Sequence, residues 1–166
     1  LGHFLFTCLL VPSLLAAAPA RIVNLSSSGH RFSDVDVEDP NFERRDYDKW
    51  VAYGQSKTAN AQFSVALNQR LSGSGVTVNA VHPGVITTEL GRHLQPEDIE
   101  LLSASSPDMA MSFKTIPAGA ATSIWAATAA ELEGRGGLYL EDCQIGELKE
   151  DAGTSDGYLG YALNQA

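Results

Sequence analysis

Apolar and polar positions along the chain follow two periods. Residues 4 to 18 are almost wholly apolar, broken only by Thr7, Pro12 and Ser13. A membrane-spanning helix needs about 20 apolar residues, so this shorter run predicts a buried helix. Arg21-Ile22-Val23-Asn24-Leu25 is short, β-branched and bounded by Ser26-Ser27-Ser28-Gly29, which predicts a buried strand. From 47 to 71 the period lengthens. Trp50, Tyr53, Ala59, Phe63, Ala66, Leu67 and Leu71 recur at helical steps. Ser72-Gly73-Ser74-Gly75 ends that helix. Residues 76 to 81 read as a second strand, stopped by His82-Pro83-Gly84. Residues 85 to 95 read as a loop, and 96 to 111 as a weak helix opened by Pro96-Glu97-Asp98. Pro117 opens a stronger helix, with Ala118, Ala121, Ile124, Trp125 and Thr128 facing inward. Leu138-Tyr139-Leu140 is a third short strand, and 144 to 166 reads as an irregular tail.

Helices and strands alternate, which predicts an α/β fold with a parallel sheet and covering helices. Such a sheet is covered on both faces and holds more strands than these. The chain 1–166 is therefore expected to be a single, partial domain. Residues 29 to 48 interrupt the alternation as an acidic loop carrying Asp34, Asp36, Glu38, Asp39, Glu43, Asp46 and Asp48. They lack the glycine and terminal glutamate of a calcium loop, so a solvated surface is the better reading.

Composition narrows the function classes. Of 166 residues, 44% are hydrophobic and 19% charged, and the net charge is −9. That argues against nucleic acid or an anionic membrane surface as partner. Cys8 and Cys143 have neither disulfide nor metal spacing. His30 and His82 have no third ligand near them, so no metal is expected. The cysteine usage suits a reducing, cytoplasmic setting. Against that, residues 1 to 20 have the small-residue ending of a secretion signal, though no basic segment precedes them.

The candidate chemistry centres on Tyr53-Gly54-Gln55-Ser56-Lys57. Tyr53 and Lys57, four apart on a helix, share one face with Cβ atoms roughly 5–6 Å apart. An ammonium beside a phenol favours the phenolate, which makes the phenol a usable acid or base. Alone, so short a pattern also arises by chance on a helix surface.

Taken together, Asn24-Leu25-Ser26-Ser27-Ser28, Tyr53-x-x-x-Lys57 and Pro83-Gly84-Val85-Ile86-Thr87-Thr88 resemble the C-terminal half of a short-chain dehydrogenase/reductase. The phrasing is similar to the retinol-dehydrogenase-like and WW-domain-oxidoreductase-like branch, through Leu1-Gly2-His3-Phe4 and Ala80-Val81-His82-Pro83-Gly84. The resemblance implies a partial doubly wound, Rossmann-type parallel sheet, with three C-terminal strands and the nucleotide-binding half missing. It implies an oxidoreductase that moves a hydride between NAD(P)(H) and an alcohol or carbonyl. Tyr53 would be the acid/base, Ser27 would hold the substrate oxygen, and Lys57 would tune Tyr53 and bind the nicotinamide ribose. Pro83, Gly84, Ile86 and Thr88 would contact the nicotinamide. The cofactor would be NADP or NAD, with NADP slightly favoured.

No glycine-rich strand–turn–helix phosphate site occurs in these residues. The helix Asn of the family's catalytic set is expected just ahead of Leu1. An internal fragment of a longer enzyme, inactive alone, is the expectation. Ile99, Leu101, Leu102, Met109, Met111 and Phe113 hint at a lipophilic small-molecule substrate, or at core. A homo-oligomer is compatible with the resemblance. The rival readings are a non-catalytic binding protein that keeps the fold, and a small secreted protein with residues 1 to 20 as its signal.

Overall fold

The computed structural model describes residues 1–105, 113–154 and 156–163. Its helices and strands, in chain order, are α1 (Gly2–Ala16), β1 (Ala20–Leu25), α2 (Lys49–Arg70), β2 (Val76–His82), α3 (Pro96–Ser105), α4 (Ile116–Thr128), β3 (Tyr139–Glu141), β4 (Gln144–Ile145), β5 (Leu148–Lys149) and β6 (Tyr158–Leu159). The main sheet has the order β1-β2-β3-β4. β1 and β2 run parallel from Ala20↔Val76 to Leu25↔Val81, and β2 and β3 run parallel from Ala80↔Tyr139 to His82↔Glu141. The expected Rossmann-type α/β architecture is present in part, as the alternation requires.

Side-chain alternation sends the two faces of the sheet to different helices. Ile22, Val76 and Val78 pack with Leu67 and Leu71 of α2. Val81 and Leu140 pack instead with Ala126 of α4. Asp48 opens α2, its carboxylate accepting from the backbone N–H groups of Trp50 and Val51 at 2.8 Å each.

Several expectations need correction. α1 is not a buried helix. Thr7 is its only buried residue, while Phe6 and Leu9 are 66% and 70% exposed. Val11 and Leu14 reach the core under β1, and Phe4 meets Phe63 edge to face. The remaining apolar face has no partner among the described residues, and β1 stands at the edge of the sheet. In α4 the inward stripe is Gly119, Thr122 and Ala126, whereas Ala118, Ile124 and Thr128 are exposed. Small residues win that face because the helix lies close in. A Cβ on Gly119 would stand 2.7 Å from Cδ1 of Ile86.

The tail is not wholly irregular. β3 turns back into β4 through Asp142 and Cys143, at φ 47° and 56°. That is the twist which two-residue hairpin turns demand. β5 and β6 then pair in parallel. Of the weak helix expected over 96 to 111, Pro96–Ser105 is helical, and 106 to 111 lie outside the described residues. Leu101, Leu102, Met109 and Met111 lie outside the side chains described. Ile99 and Phe113 are 56% and 61% exposed, so neither is core.

Candidate active site

The end of β1 is tied to α2 at successive residues. Asn24 Nδ2 donates to Ser64 Oγ at 3.0 Å, both groups buried. Asn60 Nδ2 donates to the Leu25 carbonyl at 2.9 Å, and Ser26 Oγ to the Lys57 carbonyl at 2.9 Å. Buried polar groups that find partners specify one arrangement. Here they set the register of the serine run against the Tyr53–Lys57 helix. Ser26 is the buried anchor, which leaves Ser27 half-buried at the mouth of the strand.

Beyond the strand the chain turns through a 3₁₀ segment, Ser28–Phe32. Ser27 caps it, its Oγ accepting from the Gly29 N–H at 3.0 Å. The Tyr53 ring lies against Gly29 on the same side. A Cβ built on Gly29 would stand 2.8 Å from Cδ1 of Tyr53 and 3.4 Å from Oγ of Ser27. Gly29 therefore lies beside both the serine hydroxyl and the tyrosine ring. Gly54 explains itself in the same way. A Cβ there would sit 2.7 Å from the Ser33 backbone nitrogen, so a residue that weakens a helix by about 1 kcal/mol relative to Ala lets α2 touch the turn. Thr58 closes the contact by donating to the Ser33 carbonyl at 2.7 Å.

Lys57 follows one helical turn after Tyr53, with Nζ 5.5 Å from the centre of the Tyr53 ring. It is half-buried, and burial holds its pKa below the ordinary lysine value. Among the described residues no carboxylate pairs with it.

β1 and β2 are parallel neighbours, so the serine run and Pro83-Gly84 leave the sheet at the same end. Gly84 adopts φ 86°, and a Cβ there would stand 2.7 Å from the Lys114 side chain. The Lys114 N–H donates to the Val85 carbonyl at 2.8 Å, and Lys114 forms an ion pair with Asp142. Ile86 rests against Gly119. Thr88 is exposed, its hydroxyl capping a short turn by accepting from the Leu90 N–H at 3.3 Å. The structure thus brings the Ser27 hydroxyl and the Tyr53 ring to Gly29, puts Lys57 one turn further along α2, lets Pro83 and Gly84 leave the sheet at the same end as the serine run, and leaves Thr88 exposed.

Behind the serine run lies a buried polar layer, whose two histidines the sequence offered only as metal ligands without a third partner. His30 and His82 are both buried, and burial pushes each down to about 4. Glu141, in register with His82, is also buried and is pushed up by desolvation. Their sequence signal was only that each histidine sits beside a motif, at Ser28-Gly29-His30 and His82-Pro83-Gly84. Among the described residues no group of three or more His, Cys, Asp or Glu is placed to hold a metal. No described helix is long and apolar enough to cross a membrane.

Comparison with known proteins bears on these residues. The family model described as short chain dehydrogenase matches residues 41–99. Mouse retinol dehydrogenase 13 is 46% identical over 142 residues, which cover 85% of this chain and 42% of that protein. The chain spans about half the length of the curated relatives it matches. Among solved structures, a 3-oxoacyl-[acyl-carrier protein] reductase from Brucella melitensis superposes with a TM-score of 0.58 at 23% identity. That match covers 84% of this chain and 47% of the other. The Pseudomonas aeruginosa RhlG/NADP complex superposes with a TM-score of 0.50 at 26% identity, covering 82% and 51%. With the fold, the ordered motifs and these relatives in agreement, the chain belongs to the short-chain dehydrogenase/reductase family, in its retinol-dehydrogenase-like branch.

Proposed function

We propose that the complete protein carrying this chain is an NAD(P)-dependent oxidoreductase acting on an alcohol or carbonyl carbon, with Tyr53 as its acid/base. The observation that carries this reading is that the Tyr53 ring and the Ser27 hydroxyl both flank Gly29, with Lys57 one helical turn from Tyr53.

The residues present fit the nicotinamide end of the cofactor. Lys57 is a half-buried ammonium with no carboxylate partner among the described residues, suited to donate to ribose hydroxyls. Gly84, in the left-handed region, leaves a loop that approaches closely. Pro83, Ile86 and Thr88 line that loop. The bound cofactor supplies or accepts the hydride. Tyr53 then gives a proton to the substrate oxygen in reduction or takes one in oxidation. Ser27 hydrogen-bonds the same oxygen and holds it against the phenol. Lys57 places positive charge beside the phenol, which favours the phenolate.

The relatives support NADP or NAD without choosing between them, and NADP is the reading we favour, in line with the NADP held by the RhlG complex. A lipophilic small molecule remains the proposed substrate class, in line with the names of the dehydrogenase relatives. The 166 residues alone are proposed to be inactive, because they contain no glycine-rich phosphate loop. The test is oxidation of NADPH and NADH by the complete protein with a series of apolar aldehydes and ketones. Cofactor binding without turnover of any carbonyl or alcohol would favour the rival reading, a non-catalytic binding protein on this fold.

A further inference from the structure

The chemistry proposed above makes no use of His30 or His82. One is fully buried and the other 9% exposed, and they come from different elements separated by most of α2 and β2. Yet they meet one peptide group from its two ends. The Ser27 carbonyl accepts from His30 Nδ1 at 2.7 Å. The N–H of the same peptide, on Ser28, donates to His82 Nδ1 at 3.2 Å.

The partners dictate where the imidazole protons sit. A carbonyl only accepts, so His30 carries its proton on Nδ1. Its Nε2 is then bare, and it does accept, from the Leu159 N–H at 3.2 Å. A peptide N–H only donates, so Nδ1 of His82 is bare and its proton lies on Nε2. The two rings are neutral and of opposite tautomer.

We propose that His30 and His82 are positioning residues that clamp the Ser27–Ser28 peptide and thereby fix the Ser27 hydroxyl against Tyr53. The inference rests on the Ser27 reading above. The 3₁₀ turn already ties the Ser27 carbonyl to the His30 backbone N–H at 3.1 Å, and the two imidazoles add one side-chain contact at each end of the same peptide. Here a flip would aim the carbonyl at the bare nitrogen of His82 and the N–H at the protonated nitrogen of His30. Both contacts would be repulsive, so the tautomer pair admits one orientation. The clamp is itself held from two sides. The Tyr161 hydroxyl donates to the His30 carbonyl at 2.8 Å, and Thr58, next to Lys57, stands with its Oγ1 3.1 Å from the same oxygen while it donates to the Ser33 carbonyl. The segment around β6 thus supports the serine without touching it.

The test compares two polar replacements of His82 in the complete protein. In His82→Asn the side-chain oxygen stands near the place of Nδ1 and keeps the acceptor. In His82→Gln it stands near Nε2 and does not. The expected result is turnover within a few-fold of the parent for Asn. For Gln, kcat falls on the order of 10- to 100-fold, as for a misplaced catalytic group, with KM for the cofactor unchanged. In a Ser27→Ala background, the Gln change should have no further effect, because it acts through that hydroxyl. Equal activity of Asn and Gln, or additive losses with Ser27→Ala, overturns the clamp. If Ser27→Ala itself keeps normal turnover, the Ser27 reading fails instead. An independent readout is the ¹⁵N spectrum of the histidine side chains. Protonation at Nδ1 in His30 and at Nε2 in His82 is expected, and the same tautomer on both rings sinks the inference even if a variant fails to fold.

Discussion

Gly29 and Tyr53 share one space: a side chain on the glycine would stand 2.8 Å from Cδ1 of the tyrosine ring and closer still to Cε1. Gly29→Ala must therefore displace either the ring or the 3₁₀ turn that carries Ser27. Overpacking of this kind costs about 1–3 kcal/mol. The urea midpoint of the complete protein should fall, and turnover should fall with it. An alanine variant of unchanged stability and activity would show that the ring has room to move, and the shared seat would lose its meaning.

Tyr53→Phe removes the proton donor while keeping the ring that packs on Gly29. General acid–base catalysis contributes about 10²–10⁴-fold, so kcat should drop by at least the lower figure. The melting temperature should hardly change. Near-normal turnover by the phenylalanine variant would mean that the proton comes from another group.

Lys57→Met keeps the packing of a long side chain and removes the charge. A phenol without a neighbouring cation holds its proton to higher pH. In the oxidative direction the phenolate is the base. The acid limb of the kcat profile should therefore move to higher pH, and the cofactor KM should rise with loss of the ribose donor. A profile superimposable on the parent's would remove Lys57 from both roles.

Stability should depend on pH through the buried histidines. Burial holds His30 and His82 at about 4, against about 6.5 in the unfolded chain. Between those values the unfolded state binds more protons. The contribution is fully present above about pH 6.5 and is lost as pH falls towards 4, by up to about 1.4 kcal/mol per pH unit for each ring. His82 feels Arg31 and Lys114, which oppose its protonation, and Asp142, which favours it. His30 feels Arg31 and packs against Tyr139 and Tyr161. Glu141, raised by burial, runs the other way, since its contribution is lost as pH rises through its folded value. The difference in urea midpoint between the parent and His82→Asn, from pH 7 to pH 5, isolates the histidine. The parent should lose stability more steeply, and parallel curves would contradict the assignment.

These 166 residues, prepared alone, should not bind a dinucleotide with useful affinity. Pyrophosphate is held by backbone N–H groups at a glycine-rich loop and helix N-terminus, and no such loop occurs in this sequence. A few hydrogen bonds from Lys57 and the Pro83–Gly84 loop, at about 0.5–1.5 kcal/mol each, fall short of an association cost of about 4–15 kcal/mol. Isothermal titration with NADH and NADPH checks this. Micromolar binding would mean that the nucleotide site is built from residues present here.

The periodicity of the sequence determined where α2, β1 and β2 run, because long amphipathic and β-branched segments carry their own local preference. Tyr53, Lys57 and the serine run were legible in the same way, as short motifs at fixed positions on those elements. The two-residue strands β4, β5 and β6 were not legible, since a strand so short has no period to read. Hydropathy showed that α1 seeks cover, but whether a partner covers it is a tertiary fact, and here much of the helix stays exposed. The inward face of α4 went to Gly119, Thr122 and Ala126 because closeness to Ile86, which no local pattern encodes, favours the smallest side chains. The roles of Gly29, His30 and His82 came only with folding. His82 lies 54 positions from the Ser28 N–H it accepts, and Gly29 looks like any turn glycine until the Tyr53 ring is set against it. Motifs name the groups that do chemistry, whereas the residues that aim those groups are chosen by contacts between elements distant in the chain.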